Sequence, residues 1–396
     1  SVKTIITEDT RTYLSNYLKE LNLEKLEKIK LTGITGTTGK TVTGDLIYQL
    51  LNTLNMKTAY IGTNGFYIDG KIQKTSSSTP DIYEIYELIN QAIDNKCENI
   101  IIEASSKAME QRHLEGLRFD IAIFTNFLAH QRKDKENYLN TKIELFKMLK
   151  KNGIAIINKK DPYYEYFALP QNTNIFYGTL DSDYPLRKIC SNYNYTEFSL
   201  GQNRIKMPLI GPYNMYNYAS AFIAVKTLGF DDETIISATL SLHPIDGRFE
   251  SIKYKNSLII IDYAYDIDTV NNVIKETKKI AQGRIITLIG CGGERRREKR
   301  PLIGKLVSEN SDMAIFTTDN PRHENEEAII NDMIKDLNND NYQVIISRKE
   351  AIKKGISLLE NQDILLILGK GHENSQIIGS DEFPFKDRDE VMKAIK

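Results

Sequence analysis

Residues 31–41 read LTGITGTTGKT, and this stretch decides how the rest of the chain is interpreted. A β-prone run leads into glycines separated by two residues, and a helix-compatible run follows. Glycines let backbone N–H groups turn toward an anion, and a helix N-terminus adds positive potential. Lys40 could reach the β- and γ-phosphates of a nucleotide, and Thr41 could offer its hydroxyl to Mg²⁺. The strict phosphate-loop pattern needs glycine where Ile34 stands, but the order of strand, loop and helix favours a phosphate site over a chance glycine turn.

Length, charge and cysteine content limit the class of protein. A chain of 396 residues is long for one domain and suits two or three. The formal net charge of −1 gives no reason to expect nucleic acid or an anionic membrane surface as a partner. Three widely separated cysteines fit a reducing compartment, and no apolar run approaches the ~20 residues that span a bilayer. We therefore expect a cytoplasmic protein without membrane insertion. Its expected partners are small molecules, and we expect a monomer.

Strands and helices alternate along the first part of the chain. An amphipathic helix over 8–28 comes first, and the βαβ pattern after it is typical of a parallel sheet covered on both faces. The predicted strands lie at 57–61, 99–103, 121–125 and 153–157, and the predicted helices at 81–96, 137–150, 214–229 and 232–241. Residues 171–210 consist of short strand-like pieces and turns, which predict a small antiparallel insertion.

A second βα series begins after a break at 241–250, with predicted strands at 257–262, 284–290, 313–317, 343–347 and 363–368. We therefore predict an α/β protein of three parts. They are a short N-terminal helix and tail (1–28), a central P-loop-type parallel-sheet ATPase domain (29–243) and a Rossmann-like α/β C-terminal domain (244–396). Polar motifs follow several strands directly. Because such sheets bind ligands beyond the carboxyl ends of their strands, these motifs indicate ligand sites.

An ordered series of motifs connects the chain to a known family. After the loop G-x-x-G-T-x-G-K-T the series contains Glu103-Ala104-Ser105-Ser106, Thr125-Asn126, Tyr138-Leu139-Asn140-Thr141-Lys142, Pro208-Leu209-Ile210-Gly211, Tyr216-Asn217, Asp246-Gly247-Arg248-Phe249-Glu250, Asp262-Tyr263-Ala264, Gly290-Cys291-Gly292-Gly293, Thr318-Asp319-Asn320-Pro321-Arg322, Gly369-Lys370-Gly371-His372-Glu373, Pro384-Phe385 and Asp387-Arg388. Over roughly residues 29–396 this series resembles the Mur ligase family, and within it the MurE type (UDP-N-acetylmuramoyl-tripeptide synthetase-like). The resemblance implies an ATP-dependent ligase of peptidoglycan, or cell-wall, biosynthesis that joins a carboxylate to an amine through an acyl phosphate.

The resemblance also implies a site for ATP and Mg²⁺. The implied nucleotide-binding residues are Gly36, Thr37, Thr38, Gly39, Lys40, Thr41, Asn217, Arg248 and Asp262. Asn217 would lie near the adenine, Arg248 would reach the phosphates, and Asp262 would accept hydrogen bonds from the ribose. For each of these three, an ordinary polar residue of a helix or turn is the alternative.

The implied catalytic residues are Lys40, Glu103, Lys142 and His130, and the implied metal ligands are Thr41, Glu103 and His130. Lys142 stands where related enzymes carry a carbamylated lysine. A plain lysine cannot coordinate a cation, so this role requires modification by CO₂. His130 lies in a run that lacks the family's usual Asp-His pair. It is therefore equally well interpreted as a structural or exposed histidine.

Substrate-binding residues follow from the same resemblance. Asp-Asn-Pro-Arg marks family members that add meso-diaminopimelate, because a second amino-acid head group must be bound. The implied acceptor residues are Arg295, Asp319, Asn320, Arg322, Gly369 and Glu373, and the implied donor residues are Ser78, Thr79, Ser105 and Ser106. Arg322 can hold a carboxylate through two hydrogen bonds, and a mimic such as lanthionine would satisfy the same groups.

Two departures from the family keep other hypotheses open. Only about 28 residues precede the first strand of the ATPase domain, too few for the usual domain that holds the UDP end of the donor. Lys107 stands where the family commonly has histidine. Either the sequence is a piece of a longer chain, or the protein uses another donor. The alternatives are a repurposed paralogue that joins another amino acid or peptide to a small non-UDP donor, and a non-catalytic ATP-binding partner or regulator.

Overall fold

The computed structural model of the protein describes residues 4–128 and 134–396. The chain divides into two compact units. The first comprises the residues up to Ile189 with Glu197–Met207 and Asn214–Leu242, and the second comprises Cys190–Thr196, Pro208–Tyr213 and His243–Lys396. Within the described ranges, no helix is both long and apolar enough to cross a membrane.

Among the described residues, eighteen helices and strands precede residue 242, besides a 3₁₀ turn at Tyr164–Phe167. In chain order they are α1 Thr10–Leu26, β1 Lys30–Thr35, α2 Lys40–Thr53, β2 Thr58–Gly62, β3 Gly65–Ile68, β4 Lys71–Gln73, α3 Ile82–Asp94, β5 Asn99–Glu103, α4 Ser106–Glu110, β6 Phe119–Phe124, α5 Lys135–Lys147, β7 Leu149–Asn158, β8 Thr173–Tyr177, β9 Leu186–Ser191, β10 Thr196–Leu200, β11 Asn203–Met207, α6 Tyr213–Thr227 and α7 Asp232–Thr239.

An eight-stranded sheet forms the centre of the first unit, in the order β4-β3-β2-β5-β1-β6-β7-β8. Six of its strands are parallel, and β3 and β4 extend one edge as antiparallel strands. Strand β1 lies between β5 and β6, where Ile34 is in register with Glu103 and Thr35 with Phe124. The loop after β1 therefore leaves the sheet beside the carboxyl ends of β5 and β6.

The N-terminal helix α1 belongs to this unit. Asp9 caps its first turn by accepting hydrogen bonds from the backbone N–H groups of Arg11 and Thr12, so the helix begins two residues later than predicted. Arg11 also forms an ion pair with Asp81, the N-cap residue of α3, at 2.8 Å. Leu18 joins the main hydrophobic core of the unit.

The second unit contains β12 Glu250–Tyr254, β13 Ser257–Asp262, α8 Ile267–Lys278, β14 Ile285–Ile289, α9 Lys299–Asn310, β15 Met313–Phe316, α10 Glu326–Ile334, β16 Tyr342–Val344, α11 Arg348–Ser357, β17 Ile364–Leu368, β18 Ser375–Ile378, β19 Asp381–Pro384 and α12 Asp387–Ala394. Its six-stranded sheet has the order β12-β13-β17-β14-β15-β16, and only β12 pairs antiparallel to its neighbour. Strands β18 and β19 form a separate antiparallel pair.

Both faces of this sheet are buried, which explains the unbroken apolar runs of its strands. In β13, Leu258 and Ile260 belong to the hydrophobic cluster on one face, and Ile259 and Ile261 to the cluster on the other. Successive side chains of a strand point to opposite faces, so a strand covered on both sides needs apolar residues at every position.

The predicted fold class is confirmed, and so is the alternation of strands and helices. The prediction for residues 171–210 is wrong in its first part, because β8 pairs in parallel with β7 and completes the large sheet. The later part forms a three-stranded sheet in the order β11-β10-β9. The sequence analysis missed β3, β4, β12, β18 and β19, which are short strands.

The packing of α9 against α10 in the second unit can be tested by substitution of Gly304. A Cβ built on this residue of α9 would lie 1.9 Å from the carbonyl oxygen of Met333 in α10. We expect Gly304→Ala to lower the free energy of unfolding by about 1–3 kcal/mol, because the two helices must move apart. Urea unfolding followed by circular dichroism measures the change. Lys305→Ala on the exposed side of the same helix is the control, and an equal effect of the two substitutions would contradict the packing argument.

Candidate active site

Two glycines shape the loop between β1 and α2. Gly36 has φ +149°, and a Cβ on it would lie 1.9 Å from Oγ1 of Thr125. Gly39 has φ +83°, and a Cβ on it would lie 2.5 Å from Oδ1 of Asn217. Both positions combine a backbone conformation that favours glycine with a close approach of another chain segment. Asn217, one of the implied nucleotide-binding residues, therefore lies directly against this loop.

The segment after β6 holds the tip of the loop. The backbone N–H of Thr37 donates to the carbonyl oxygen of Asn126 at 2.9 Å, and the N–H of Thr38 donates to Oδ1 of Asn126 at 2.9 Å. Thr125 donates its hydroxyl to the carbonyl oxygen of Thr38 at 2.6 Å. These two loop N–H groups already have protein partners, so an anion would have to bind other N–H groups, such as those in the first turn of α2.

The start of α2 has the properties of an anion site. No side chain of the described residues caps this end of the 14-residue helix. Its backbone N–H groups and the positive end of the helix dipole therefore face the loop. Lys40 lies back over the loop and donates to the carbonyl oxygens of Gly36 and Thr37 at 2.9 and 3.2 Å. A phosphate bound at the start of α2 would meet these N–H groups, with Lys40 held close by on the loop.

Glu103 ends β5 as a fully buried carboxylate. Its Oε1 accepts hydrogen bonds from Tyr60 Oη at 2.6 Å and from the N–H of Thr63 at 2.8 Å, and its Oε2 accepts from the Thr63 hydroxyl at 3.1 Å. The same hydroxyl lies 3.2 Å from Oγ1 of Thr41. Thr63 thus connects Thr41 and Glu103, the two predicted metal ligands that the structure describes. These oxygen atoms are of the kind that Mg²⁺ prefers.

Lys142 lies on α5 and is almost completely buried. Its Nζ donates to the carbonyl oxygen of Gly36 at 2.9 Å and to the hydroxyl of Ser106 at 2.8 Å, and it lies 4.2 Å from the centre of the Tyr138 ring. The fold therefore brings Lys142 against both the phosphate loop and one of the implied donor residues.

The implied donor residues gather beside Glu103. The Thr79 hydroxyl donates to the carbonyl oxygen of Glu103 at 2.7 Å and to Oγ of Ser105 at 3.1 Å. Ser105 caps α4, and Ser106 is the first residue of that helix. Ser78 is half-buried in the bend before Thr79. The structure thus brings three of the four donor residues into one cluster and places the fourth next to it in the chain.

In the second unit, Asp262 fixes the turn that carries Arg248. Its two carboxylate oxygens accept from the backbone N–H groups of Phe249 and Ala264 at 2.7 and 2.9 Å. Burial raises the pKa of Asp262, and the nearby Arg248 opposes that rise. Arg248 lies 4.9 Å from the centre of the Tyr263 ring, and the ring of His372 lies 4.6 Å from the same ring. Burial and the charge of Arg248 lower the pKa of His372 to about 4, so this histidine is neutral at pH 7.

Several of the implied acceptor residues lie at the carboxyl ends of β15 and β17. Asn320 is held from three sides: its Oδ1 accepts from Lys370 Nζ at 2.9 Å and from the N–H of Ile377 at 3.0 Å, and its Nδ2 donates to Oε2 of Glu373 at 2.8 Å. Lys370 also forms an ion pair with Glu373 at 2.9 Å. The Asn320 amide keeps one N–H for a ligand and cannot accept a further hydrogen bond easily.

Asp319 and Gly369 lie together in this cluster. A Cβ on Gly369, which has φ +111°, would lie 2.7 Å from Oδ2 of Asp319. Asp319 is buried, and burial raises its pKa, while Arg348 and Lys370 oppose the rise. The ammonium group of a ligand would add a further cation beside this carboxylate and favour its ionised form.

Arg322 adopts the left-handed backbone conformation, with φ +52°. Its Nη1 donates to the carbonyl oxygen of Gly293 at 2.8 Å. A Cβ on Gly292 would lie 3.3 Å from that Nη1 and 3.5 Å from Cγ of Arg295, so the two arginines flank Gly292. Arg295 itself is exposed. The structure thus brings Arg322 and Arg295 to the same short loop.

One predicted site residue lies outside the described residues, and the sequence analysis missed others. His130 lies outside the described residues, and among residues 4–128 and 134–396 no three His, Cys, Asp or Glu side chains gather as a metal cluster. The sequence analysis did not single out Thr63, Tyr60 or Lys370 as individual residues. Thr63 follows β2 directly, so the rule that ligand groups follow the carboxyl ends of parallel strands was the signal that could have found it.

Comparison with known proteins agrees with this geometry. Residues 34–225 match the Mur ligase middle domain, and residues 247–371 match the Mur ligase glutamate ligase domain. The chain is 35% identical over 375 residues to UDP-N-acetylmuramoyl-L-alanyl-D-glutamate–2,6-diaminopimelate ligase 2 of Clostridium acetobutylicum. This match covers 90% of the chain and 76% of that relative.

Solved structures give the same result for the fold. A structure of a UDP-N-acetylmuramoyl-L-alanyl-D-glutamate–2,6-diaminopimelate ligase matches with a TM-score of 0.71 and 29% identity, over 99% of this chain and 83% of that one. The MurF ligase of Thermotoga maritima in complex with ADP matches with a TM-score of 0.67 over 100% of this chain and 86% of that one, at 18% identity, which speaks for the fold alone. With both domains matched and a relative that is 35% identical over 90% of this chain, the chain belongs to the Mur ligase family of ATP-dependent, ADP-forming ligases that make amide bonds.

Proposed function

We propose that the chain is a ligase of the MurE type that uses ATP and Mg²⁺ to join meso-diaminopimelate to the free carboxylate of UDP-N-acetylmuramoyl-L-alanyl-D-glutamate. The arrangement of Asp319, Arg322 and Glu373 at one edge of the second sheet carries this proposal. Carboxylates beside a guanidinium suit a head group that has both an ammonium and a carboxylate. The printed names of the relatives favour the same substrates for this chain.

The reaction needs two steps, each with defined bonds. A carboxylate oxygen of the donor attacks the γ-phosphorus of ATP, the bond to the β-phosphate oxygen breaks, and ADP leaves. The amine of diaminopimelate then attacks the carbonyl carbon of the acyl phosphate, loses a proton, and expels inorganic phosphate. Catalysis of such a reaction depends mainly on positioning and on stabilising the charge of the transferring phosphoryl group.

The residues of the first unit fit the first step. The uncapped start of α2 and Lys40 would bind the phosphates of ATP, and Asn217 would lie near the base. Thr41 and Glu103, joined through Thr63, would hold Mg²⁺, which keeps several waters and phosphate oxygens among its ligands. The metal would offset the negative charge of the phosphates. Thr79, Ser105 and Ser106 would bind the donor beside Lys142.

In the second unit, the side-chain contacts favour the role proposed for Arg248 more than the role proposed for Asp262. Arg248 has a buried Nε without a hydrogen-bond partner among the described residues, which leaves it able to bind a phosphate. Asp262 already accepts two backbone hydrogen bonds, so a ribose hydroxyl would have to use the remaining lone pairs. Asp319, Glu373 and the remaining Asn320 N–H would bind the acceptor with Arg322, Arg295 and the backbone at Gly369.

The experiment that tests the proposal is phosphate release from ATP and Mg²⁺ with donors and acceptors tested in all pairs. Release that requires both UDP-N-acetylmuramoyl dipeptide and meso-diaminopimelate is the expected result. Release with a small donor alone would favour a repurposed paralogue. No release with any pair would favour a non-catalytic ATP-binding protein, and lanthionine in place of diaminopimelate would measure how strictly the acceptor is selected.

Arg322→Ala should raise the KM for diaminopimelate by about 10- to 100-fold, because a charge-assisted hydrogen bond contributes about 1.5–3 kcal/mol. The KM for ATP should stay within about twofold. Steady-state kinetics with each substrate varied in turn gives both values. Arg204→Ala, at an exposed side chain of β11 in the first unit, is the control. Unchanged kinetics in Arg322→Ala would show that the acceptor is bound elsewhere.

Lys142 should carry a carbamate in the active protein, because only then can it act as an anion beside the phosphate loop. We expect a ¹³C signal of a carbamate after incubation with ¹³C-bicarbonate, and its loss together with most of kcat in Lys142→Arg. The arginine keeps the positive charge but cannot react with CO₂. Full activity of a wild-type chain without that signal would contradict the carbamate.

A further inference from the structure

A buried ion pair lies behind the acceptor loops of the second unit. The Arg300 side chain is 2% exposed, and its Nη1 and Nη2 donate to Glu324 Oε2 and Oε1 at 3.0 and 2.9 Å. Nη1 also donates to Asp332 at 3.0 Å. Burying a guanidinium is costly unless such bonds satisfy it, so the geometry of this pair is strongly constrained. Arg300 follows the loop after β14, and Glu324 lies two residues after Arg322.

Both partners of this pair also bind the loop that flanks the acceptor residues. Glu324 accepts a hydrogen bond from the backbone N–H of Glu294, and Arg300 Nη2 donates to the carbonyl oxygen of Gly292 at 3.4 Å. Arg297, on the same loop, donates to Glu324 Oε2 at 3.0 Å. The pair therefore holds the backbone at residues 292–294, to which Arg322 also binds.

The acceptor arginine depends on the position of that backbone. Arg322 Nη1 donates to the carbonyl oxygen of Gly293, and the N–H of Gly293 donates to the carbonyl oxygen of Asn320 at 2.9 Å. A Cβ on Gly293 would lie 1.8 Å from the carbonyl oxygen of Pro321, so the loops after β14 and β15 are in direct contact. A shift of the 292–294 backbone would move the guanidinium of Arg322 with it.

We propose that Arg300 and Glu324 are positioning residues for the acceptor: they hold the loops after β14 and β15 at a fixed spacing and thereby direct Arg322 and Arg295 toward the carboxylate of the acceptor head group. This inference rests on the proposed function. The hydrogen bonds from Arg300 lower the pKa of Glu324 to about 2, so the pair stays charged at any pH at which the enzyme would be assayed. Neither residue touches the acceptor itself.

A matched pair at the other end of the same sheet provides the control. Arg284 precedes β14 and donates to Asp363 Oδ2 through Nη2 at 2.7 Å and through Nε at 3.1 Å. Asp363 precedes β17, so this pair lies at the amino ends of the strands, whereas the acceptor residues follow their carboxyl ends. Asp363→Asn should therefore lower Tm without changing the acceptor KM.

The test compares Glu324→Gln with Asp363→Asn in the full chain, with UDP-N-acetylmuramoyl dipeptide, ATP and meso-diaminopimelate as substrates. Glu324→Gln keeps the size of the side chain but removes its charge. We expect its KM for diaminopimelate to rise at least 10-fold and its KM for ATP to stay within twofold, because a misplacement of about 1 Å can cost up to 100-fold. Arg300→Lys, which keeps the charge but loses the paired hydrogen bonds, should shift the same KM in the same direction.

Two outcomes would overturn the inference. An acceptor KM within twofold of wild type in both Glu324→Gln and Arg300→Lys would show that the pair contributes to stability alone. An equal rise in the acceptor KM of Asp363→Asn would show that any loss of an ion pair in this unit has the same effect. If Glu324→Gln does not fold, the acceptor KM is measured in Arg300→Lys and in Arg297→Ala instead. The second substitution removes the hydrogen bond from Arg297 to Glu324. A wild-type chain without diaminopimelate-dependent phosphate release would instead reject the proposed function, and the inference with it.

Discussion

Parallel strands bring their carboxyl ends to one edge of a sheet, and both units of this protein depend on that constraint. In the first unit the loop after β1 lies between the ends of β5 and β6, so Glu103 and Thr125 meet it from either side. In the second unit the ends of β14, β15 and β17 bring together three loops from distant parts of the chain. The order of the strands in each sheet determines which groups lie near one another, and the loops determine the individual contacts between them.

Burial of charge shapes both sites. Glu103 and Lys142 are each almost completely removed from water, and each has hydrogen-bond partners that compensate for the loss of hydration. In the second unit Lys370, Arg348 and Arg300 are buried cations that face buried or half-buried carboxylates. Such arrangements cost free energy to assemble and hold side chains in one geometry. This rigidity suits a ligase, since its substrates must be aligned before the acyl phosphate meets water.

The predicted site residues are distributed over both units. Those for the metal and the donor lie in the first unit and those for the acceptor in the second, whereas the predicted nucleotide-binding residues occur in both, Asn217 in the first and Arg248 in the second. The family matches divide the chain near the same place, since the matched middle domain ends at residue 225 and the matched glutamate ligase domain begins at residue 247. The buried ion pair of Arg300 and Glu324 lies behind the predicted acceptor residues. A description of the site that included only residues in contact with the ligand would leave this pair out.

The sequence by itself determined the alternation of the longer strands and helices, the phosphate loop and the family. Apolar runs bounded by polar motifs are local patterns, and a local pattern can be recognised from the sequence alone. Only the tertiary structure decided which polar groups remain available to a ligand. The amide of Asn320 is largely engaged by Lys370, Ile377 and Glu373, and Thr63 joins Thr41 to Glu103, contacts that span between 22 and 57 residues of sequence. Likewise β8 joins the large sheet although its surroundings suggested an insertion. Hydrogen bonds between distant segments depend on how the strands are ordered in space, and sequence spacing does not encode that order.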